Sequence, residues 1–317
     1  MSRHELGLAK SARALPRREA LLLAGGTAAF AALPALAKSV AVRPMLAKPI
    51  PSSREKLPVV GVGTYLTFDV GLSAEERARL TKVLRIMFDA GGRMIDSSPM
   101  YGRAETASGA LVAAMGARKQ AFIATKVWTR GRQDGIAQMQ RSLKRFRTDK
   151  LDLMQVHNLV DWRTQLKTLR EWKDKGVFKY IGITHYSSSA WQELAGILRR
   201  EPIDFVQFPY SIANRRAAPL LDIARETKTA VLTHLNFERG RLFRSVRGRA
   251  LPGWAADFEC RSWAQFFLKF ALAHPASTCV IPGTSKVRHM IDNVQAGMGR
   301  LPDAKEAARM VKLIQSL

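Results

Sequence analysis

Cysteine is scarce in this chain, whose 317 residues include only Cys260 and Cys279. The two form no CxxC pair and no cysteine–histidine spacing of the kind that binds zinc, so we predict no metal site. A disulfide between them would require an oxidising compartment, and one pair in so long a chain is weak support for it. Acidic residues are also few, 26 against 51 lysines and arginines, and the formal net charge is +25.

The basic residues are spread along the whole chain, without a run of five like charges. No zinc-finger or RNA-binding signature accompanies them. This distribution favours a solvated basic surface over a nucleic-acid partner, and it would also suit a cofactor that carries phosphate.

One long uncharged stretch is present, ALLLAGGTAAFAALPALA from Ala20 to Ala37. Four arginines and a lysine precede it, and it ends in A-x-A, the pattern of a cleaved signal peptide. The adjacent Arg17 and Arg18 resemble a twin-arginine export signal. We therefore predict an export signal over 1–37, a periplasmic location and no stable membrane insertion after cleavage. The alternatives are an uncleaved membrane-anchoring helix and a cytoplasmic protein.

Strand-like and helix-length runs alternate after a loose segment over 38–56, part of which is a candidate hairpin. The strand-like runs begin near Val59, Met94, Ala121, Leu151, Tyr180, Asp204, Ala230 and Thr278. Helices are predicted over Ser73–Ala90, where Ser73 and Glu76 make a capping-box pattern, over Trp263–Ala273 and over Asp303–Leu317. Eight repeats within 57–317 predict an α/β fold, a single (β/α)8 TIM barrel with a C-terminal helix. The rival is a doubly wound sheet, but its glycine fingerprint is incomplete because Leu66 replaces the third glycine.

Polar residues follow the apolar part of most predicted strands, namely Asp96, Lys126, His157, Asn158, Thr184, His185, Gln207 and His234. In a barrel of parallel strands these ends meet on one face, where active sites are built. Asp96, Lys126 and His157, with Tyr101 in the turn after Asp96, are a suitable set for proton transfer. A neighbouring ammonium would lower the pKa of Tyr101 by up to about 3 before burial offsets part of it. Taken singly, each of the four also has an ordinary structural explanation.

Seven motifs, in order and spacing, resemble the aldo-keto reductases: GVGTY (61–65), IDSSPMYG (95–102), ATKVW (124–128), LDLMQVHN (151–158), GVFKYIGITHY (176–186), VQFPYS (206–211) and IPGTSKVRHMIDN (281–293). The resemblance runs from about Pro51 to the C-terminus. It implies an enzyme that reduces a small carbonyl substrate with NADPH, NADH not being excluded. Tyr101 would be the general acid, Lys126 would lower its pKa, Asp96 would pair with Lys126, and His157 would orient the carbonyl.

The resemblance also implies cofactor-binding residues. Those near the nicotinamide are Asn158, Thr184, His185, Gln207 and His234, and those near the adenosine 2′-phosphate are Gly283, Thr284, Ser285, Lys286, His289 and Asn293. The family's usual Ser-Asn pair is replaced here by Thr184-His185, its stacking aromatic by His234, and a common lysine by Gly283, which weakens the expected preference for NADPH. Arginines that follow the seventh strand, at 239, 241, 244, 247 and 249, are candidate pyrophosphate ligands.

Tyr65 and Trp128 are predicted to line an apolar substrate pocket, with Trp162 or Trp254 as further candidates; all four could instead pack on the barrel rim. Two other functions stay open at this point. Lys126 could be the nucleophile of a Schiff-base aldolase, or the chain could be a cofactor-binding redox sensor with little turnover. The sequence predicts no oligomeric state.

Overall fold

A computed structural model describes residues 44–317, and the predicted export signal over 1–37 lies outside the described residues. Within 44–317, no helix is long and apolar enough to span a membrane.

An antiparallel hairpin of β1 (Ala47–Pro49) and β2 (Lys56–Pro58) precedes the barrel. Lys48 fixes it by donating to the carbonyl oxygens of Leu272, His274 and Ser277 at 2.8, 3.1 and 2.7 Å. Ile50 and Leu57 add apolar side chains to the cluster inside the barrel. The hairpin therefore covers the end of the barrel where the strands begin.

Eight parallel strands form the barrel wall, in chain order around the sheet. They are β3 (Val62–Gly63), β4 (Met94–Asp96), β5 (Phe122–Val127), β6 (Leu151–His157), β7 (Phe178–Thr184), β8 (Phe205–Pro209), β9 (Ala230–His234) and β10 (Ser277–Val280). Hydrogen bonds of 2.9 Å from Gly61 N to Val280 O, and from Val280 N to Val59 O, join the first and last segments. The predicted barrel is confirmed.

Helices surround the wall: α1 (Ala74–Asp89), α2 (Ala104–Ala114), α3 (Arg132–Phe146), α4 (Trp162–Asp174), α5 (Trp191–Arg200), α6 (Ala218–Glu226), α7 (Arg241–Ser245), α8 (Trp263–Ala273), α9 (Val287–Gln295) and α10 (Ala304–Gln315). The capping box of Ser73 and Glu76 starts α1 as predicted, and α8 has the predicted bounds. Gly109 lets α2 approach α3 closely, because a Cβ there would collide with the carbonyl oxygen of Arg145.

The core has two layers, one inside the barrel and one between the wall and the helices. Every residue of β5 is buried, as expected for a parallel strand covered on both faces. Cys260 and Cys279 are both buried and free, so no disulfide joins them. Burial raises the pKa of the Cys260 thiol to about 11.

Candidate active site

A buried ion pair lies at the carboxyl ends of β4 and β5. Lys126 Nζ donates to Asp96 Oδ1 and Oδ2 at 2.9 and 2.8 Å and to the carbonyl oxygen of Ser97 at 2.6 Å. Lys126 is 1% exposed and Asp96 is 2% exposed. An isolated ammonium at this depth would be costly, so three charge-assisted bonds are what keep it charged.

The carboxylate decides the charge of Lys126. Burial by itself lowers the pKa of a lysine, but the charge of Asp96, assisted by Tyr101 and by the hydrogen bond to Asp96, more than offsets it. The net result is a raised pKa, and Lys126 is an ammonium at neutral pH. Asp96 therefore both pairs with Lys126 and keeps it charged.

Tyr101 stands above this pair, in the turn after β4. The Lys126 Nζ lies 5.2 Å from the centroid of its ring. Burial raises the pKa of the phenol and Lys126 lowers it, and burial prevails. The predicted net lowering of the Tyr101 pKa is therefore wrong in this structure, because desolvation of the phenolate exceeds the attraction of the ammonium. Tyr101 is a protonated phenol.

His157 ends β6 beside Tyr101, and the two ring centroids are 5.9 Å apart with the rings nearly perpendicular. Burial, aided by the charge of Lys126, lowers the pKa of His157 to about 2. The imidazole is therefore neutral at physiological pH. Its Nδ1 lies 3.0 Å from Ser98 Oγ.

Two glutamines complete the surroundings of Asp96. Gln155 Nε2 donates to Gln207 Oε1 at 3.1 Å and, more weakly, to Asp96 Oδ1 at 3.4 Å, while Gln207 Nε2 donates to Asp96 Oδ2 at 3.2 Å. Gln207 is thus engaged beneath the site as well as being a predicted cofactor ligand. Sequence reasoning missed Gln155, although it precedes His157 by two residues and so points to the same face of β6.

Two buried polar atoms near the carboxyl ends of β6 and β9 lack hydrogen-bond partners among the described residues. Asn158 Oδ1 and His234 Nδ1 are buried and have no hydrogen-bond partner within residues 44–317. Asn158 holds a left-handed backbone with φ of 53°, and Thr184 is buried at the end of β7. His185 Nδ1 accepts from the Ser187 amide at 3.0 Å. Buried orphan atoms of this kind fit a polar ligand such as a carboxamide.

The loop after β10 has the features of an anion site. The Lys286 amide donates to Thr284 Oγ1 at 3.0 Å, and Arg79 Nη1 donates to the Ser285 carbonyl oxygen at 3.0 Å, so Gly283–Ser285 is held in place. The helix that follows, α9, has no side-chain cap from the described residues, which leaves its first amides for an anion. Lys286 and His289 are exposed at its start, whereas Asn293 is buried.

The arginine loop after β9 is mostly solvated. Arginines 241, 244, 247 and 249 are exposed, and Arg241 Nη2 contacts Glu238 Oε2 at 3.4 Å. Arg239 adopts a positive φ of 53° and contributes to the lowered pKa of His234, which burial and Lys126 bring to about 3. The charge of Arg239 therefore acts on His234 at the barrel mouth.

Two exposed aromatic side chains lie next to Tyr101 and His157. Tyr65 is 51% exposed with its ring centroid 4.9 Å from that of Tyr101, and Trp128 is 42% exposed with its centroid 6.5 Å from that of His157. Trp162 instead donates to Glu193 Oε1 at 2.9 Å, and Trp254 packs against Phe258 and Phe266. No group of three histidine, cysteine or acidic side chains in the described part of the chain could hold a metal ion.

A family comparison agrees with this geometry. Residues 59–315 match the model of the aldo/keto reductase family. The chain therefore belongs to the aldo/keto reductase family, and it is an oxidoreductase that reduces aldehyde or ketone groups with NAD(P)H.

Individual relatives are distant. The chain is 26% identical over 199 residues to the aldo-keto reductase YhdN of Bacillus subtilis, a match that spans 58% of this chain and 59% of that enzyme. It is 26% identical over 245 residues to the methylglyoxal reductase YeaE of Escherichia coli, covering 75% of this chain and 84% of that one. An aldo-keto reductase from Klebsiella pneumoniae, solved in complex with NADPH, has the same fold with a TM-score of 0.72 and 22% identity, over 85% and 96% of the two chains.

Proposed function

We propose that Tyr101 is the general acid of this reductase and that Asp96, Lys126 and His157 support it. The observation that carries the proposal is the buried Asp96–Lys126 pair lying beneath a protonated Tyr101, with the neutral His157 at its side. Proton transfer from the phenol to the carbonyl oxygen leaves a phenolate. The ammonium of Lys126 stabilises that phenolate as it forms, because attraction grows as charge develops on the oxygen.

His157 has the role of a hydrogen-bond donor. With a pKa of about 2, His157 is not an acid at neutral pH, and this supports the carbonyl-orienting role that the resemblance implies. A donor aimed at the oxygen where negative charge develops lowers the barrier without itself being deprotonated.

We infer that the cofactor is NADPH, which supplies the hydride when bound. The orphan atoms of Asn158 and His234, with Thr184, His185 and Gln207 nearby, suit the nicotinamide amide. The loop Gly283–Ser285 with Lys286 and His289 suits a phosphate, while Asn293 would act from beneath it. Support also comes from the similar Klebsiella reductase, which was crystallised with NADPH.

The substrate is proposed to be a small aldehyde or ketone with an apolar side. Tyr65 and Trp128 offer exposed aromatic surface next to Tyr101 and His157. Four bacterial relatives are named methylglyoxal reductases, so a dicarbonyl is a sensible first compound to assay.

A Schiff-base aldolase is disfavoured. A nucleophilic lysine needs a lowered pKa, whereas that of Lys126 is raised and its ammonium is fully engaged by Asp96 and Ser97. The redox-sensor alternative has no observation in its favour.

The central test is NADPH-dependent reduction of an aldehyde and quinone panel by wild type, Tyr101→Phe and the control Tyr65→Phe. Removing the acid should lower kcat by about 10²–10⁴, while Tyr65→Phe removes a neighbouring hydroxyl and should act mainly on KM. Full activity of Tyr101→Phe would reject Tyr101 as the acid.

The cofactor preference is measured separately by fluorescence titration with NADPH and NADH. Lys286→Ala should weaken NADPH and leave NADH nearly unaffected, because only NADPH carries the 2′-phosphate. NADH binding as tight as NADPH in the wild type would defeat the proposed preference.

We further propose that the protein is exported to the periplasm. The support is the sequence of residues 1–37, with its paired arginines, uncharged stretch and A-x-A end. Fractionation of cells that express wild type or Arg17→Lys/Arg18→Lys tests this. The wild type should be found at mature size in the periplasm and the variant retained as precursor. A precursor-sized wild type confined to the cytoplasm would overturn the proposal.

A further inference from the structure

Ser98 is a fully buried residue whose hydroxyl faces the imidazole of His157. The Oγ lies 3.0 Å from Nδ1, and Ser98 is enclosed in the turn between β4 and Tyr101. Because this imidazole is neutral, only one of its nitrogens carries a proton. The direction of the Ser98–His157 hydrogen bond therefore determines which nitrogen that is.

The neighbours of Ser98 set this direction. The Met100 amide points at Ser98 Oγ at 3.5 Å, a long contact in which the hydroxyl oxygen can only accept. Among the described residues, His157 Nδ1 is the one acceptor that the hydroxyl proton reaches. If Nδ1 carried the proton instead, the oxygen would face two donors and its own proton would be buried without an acceptor, which is costly. Ser98 is therefore the donor and Nδ1 the acceptor.

We propose that Ser98 is a positioning residue that holds His157 as its Nε2–H tautomer. No hydrogen bond from a described residue occupies Nε2, and this atom is absent from the buried atoms left without partners, so it retains access to the barrel mouth. The Ser98 hydroxyl thus places the one N–H of the neutral imidazole on Nε2, from which it can donate to the substrate oxygen. The consequence for catalysis depends on the proposed role of His157.

The test combines kinetics with a direct view of the tautomer. Ser98→Ala removes the donor, Ser98→Thr keeps a hydroxyl, and Ser108→Ala is a matched control because the Ser108 hydroxyl is buried without a partner. Loss of one hydrogen bond predicts a fall in kcat of up to about tenfold in Ser98→Ala. KM should change little, Ser98→Thr should recover most of the rate, and Ser108→Ala should match wild type.

Nitrogen-15 NMR of ring-labelled histidine reports which nitrogen is protonated, and His157→Phe identifies the His157 signals by their loss. We expect wild-type Nε2 to be protonated and Nδ1 to accept a hydrogen bond, with that Nδ1 signature lost in Ser98→Ala and kept in Ser98→Thr. A protonated Nδ1 in the wild type, or spectra unchanged in Ser98→Ala, would overturn the inference. If the signature follows Ser98 while His157→Phe keeps full activity, the tautomer assignment stands and the proposed role of His157 fails.

Discussion

Breaking the Asp96–Lys126 pair from one side should cost far more stability than removing it whole. In Asp96→Asn, the Lys126 ammonium would stay buried with only the Ser97 carbonyl as a strong partner. Asp96→Asn removes the two charge-assisted bonds to the carboxylate, which at about 1.5–3 kcal/mol each sum to about 3–6 kcal/mol. Lysine can lose its proton, which limits the cost, so we expect the free energy of unfolding to fall by about 3–5 kcal/mol. That is a large share of the roughly 5–15 kcal/mol typical of a domain.

The double variant Asp96→Asn/Lys126→Met provides the contrast. Methionine fills the lysine volume without charge, so most of the lost stability should return although activity does not. Urea unfolding followed by tryptophan fluorescence and circular dichroism measures each free energy of unfolding by linear extrapolation, with the slope checked for constancy. A loss below about 1 kcal/mol in Asp96→Asn, or a double variant no more stable than the single one, would refute the reasoning.

Three further perturbations probe the fold. His157 stays neutral in the folded protein, whereas in the unfolded chain it takes up a proton below about pH 6.5. The free energy of unfolding should therefore decrease as the pH is lowered from about 6.5 to about 2, by up to about 1.4 kcal/mol per pH unit. Urea midpoints at about pH 7 and 5.5 should show a smaller difference in His157→Phe. Gly109→Ala should lose about 1–3 kcal/mol because its Cβ meets the Arg145 carbonyl; a wild-type melting temperature would contradict that. Arg145→Ala should cost about 1.5–3 kcal/mol because it leaves buried Glu105 with only the Thr125 hydroxyl, and adding Glu105→Gln should recover part of the loss in the same melts.

The sequence was enough to predict the barrel because its signals are local. Strand starts near Met94, Leu151 and Ala230 follow from apolar runs, and α8 is bounded by the Ser262 cap and the proline after His274. The convergence of Asp96, Lys126 and His157 follows from strand order alone once a barrel is accepted.

Three features of the site could not be predicted from the sequence, because they depend on how deeply a side chain is buried and on which atoms it faces. Whether the pKa of Tyr101 is raised or lowered depends on how deeply the phenol is buried, and no sequence motif encodes that depth. Gln155 was missed because a polar residue within a buried strand gains meaning only when its neighbours, Asp96 and Gln207, are known. The role of Ser98 likewise depends on which atom its hydroxyl faces.

The hairpin at the base of the barrel bears on the order of folding. Lys48 bonds to carbonyls 224 to 229 residues further along the chain. On a ribosome, these three acceptors are made long after the hairpin, so the hairpin lacks these bonds until most of the barrel strands have been synthesised. Contacts so distant in sequence carry a large loop-closure entropy and slow the final step. Lys48 thus gains all three hydrogen bonds only once the chain through Ser277 is present, and a chain truncated before α8 would leave it with none of them.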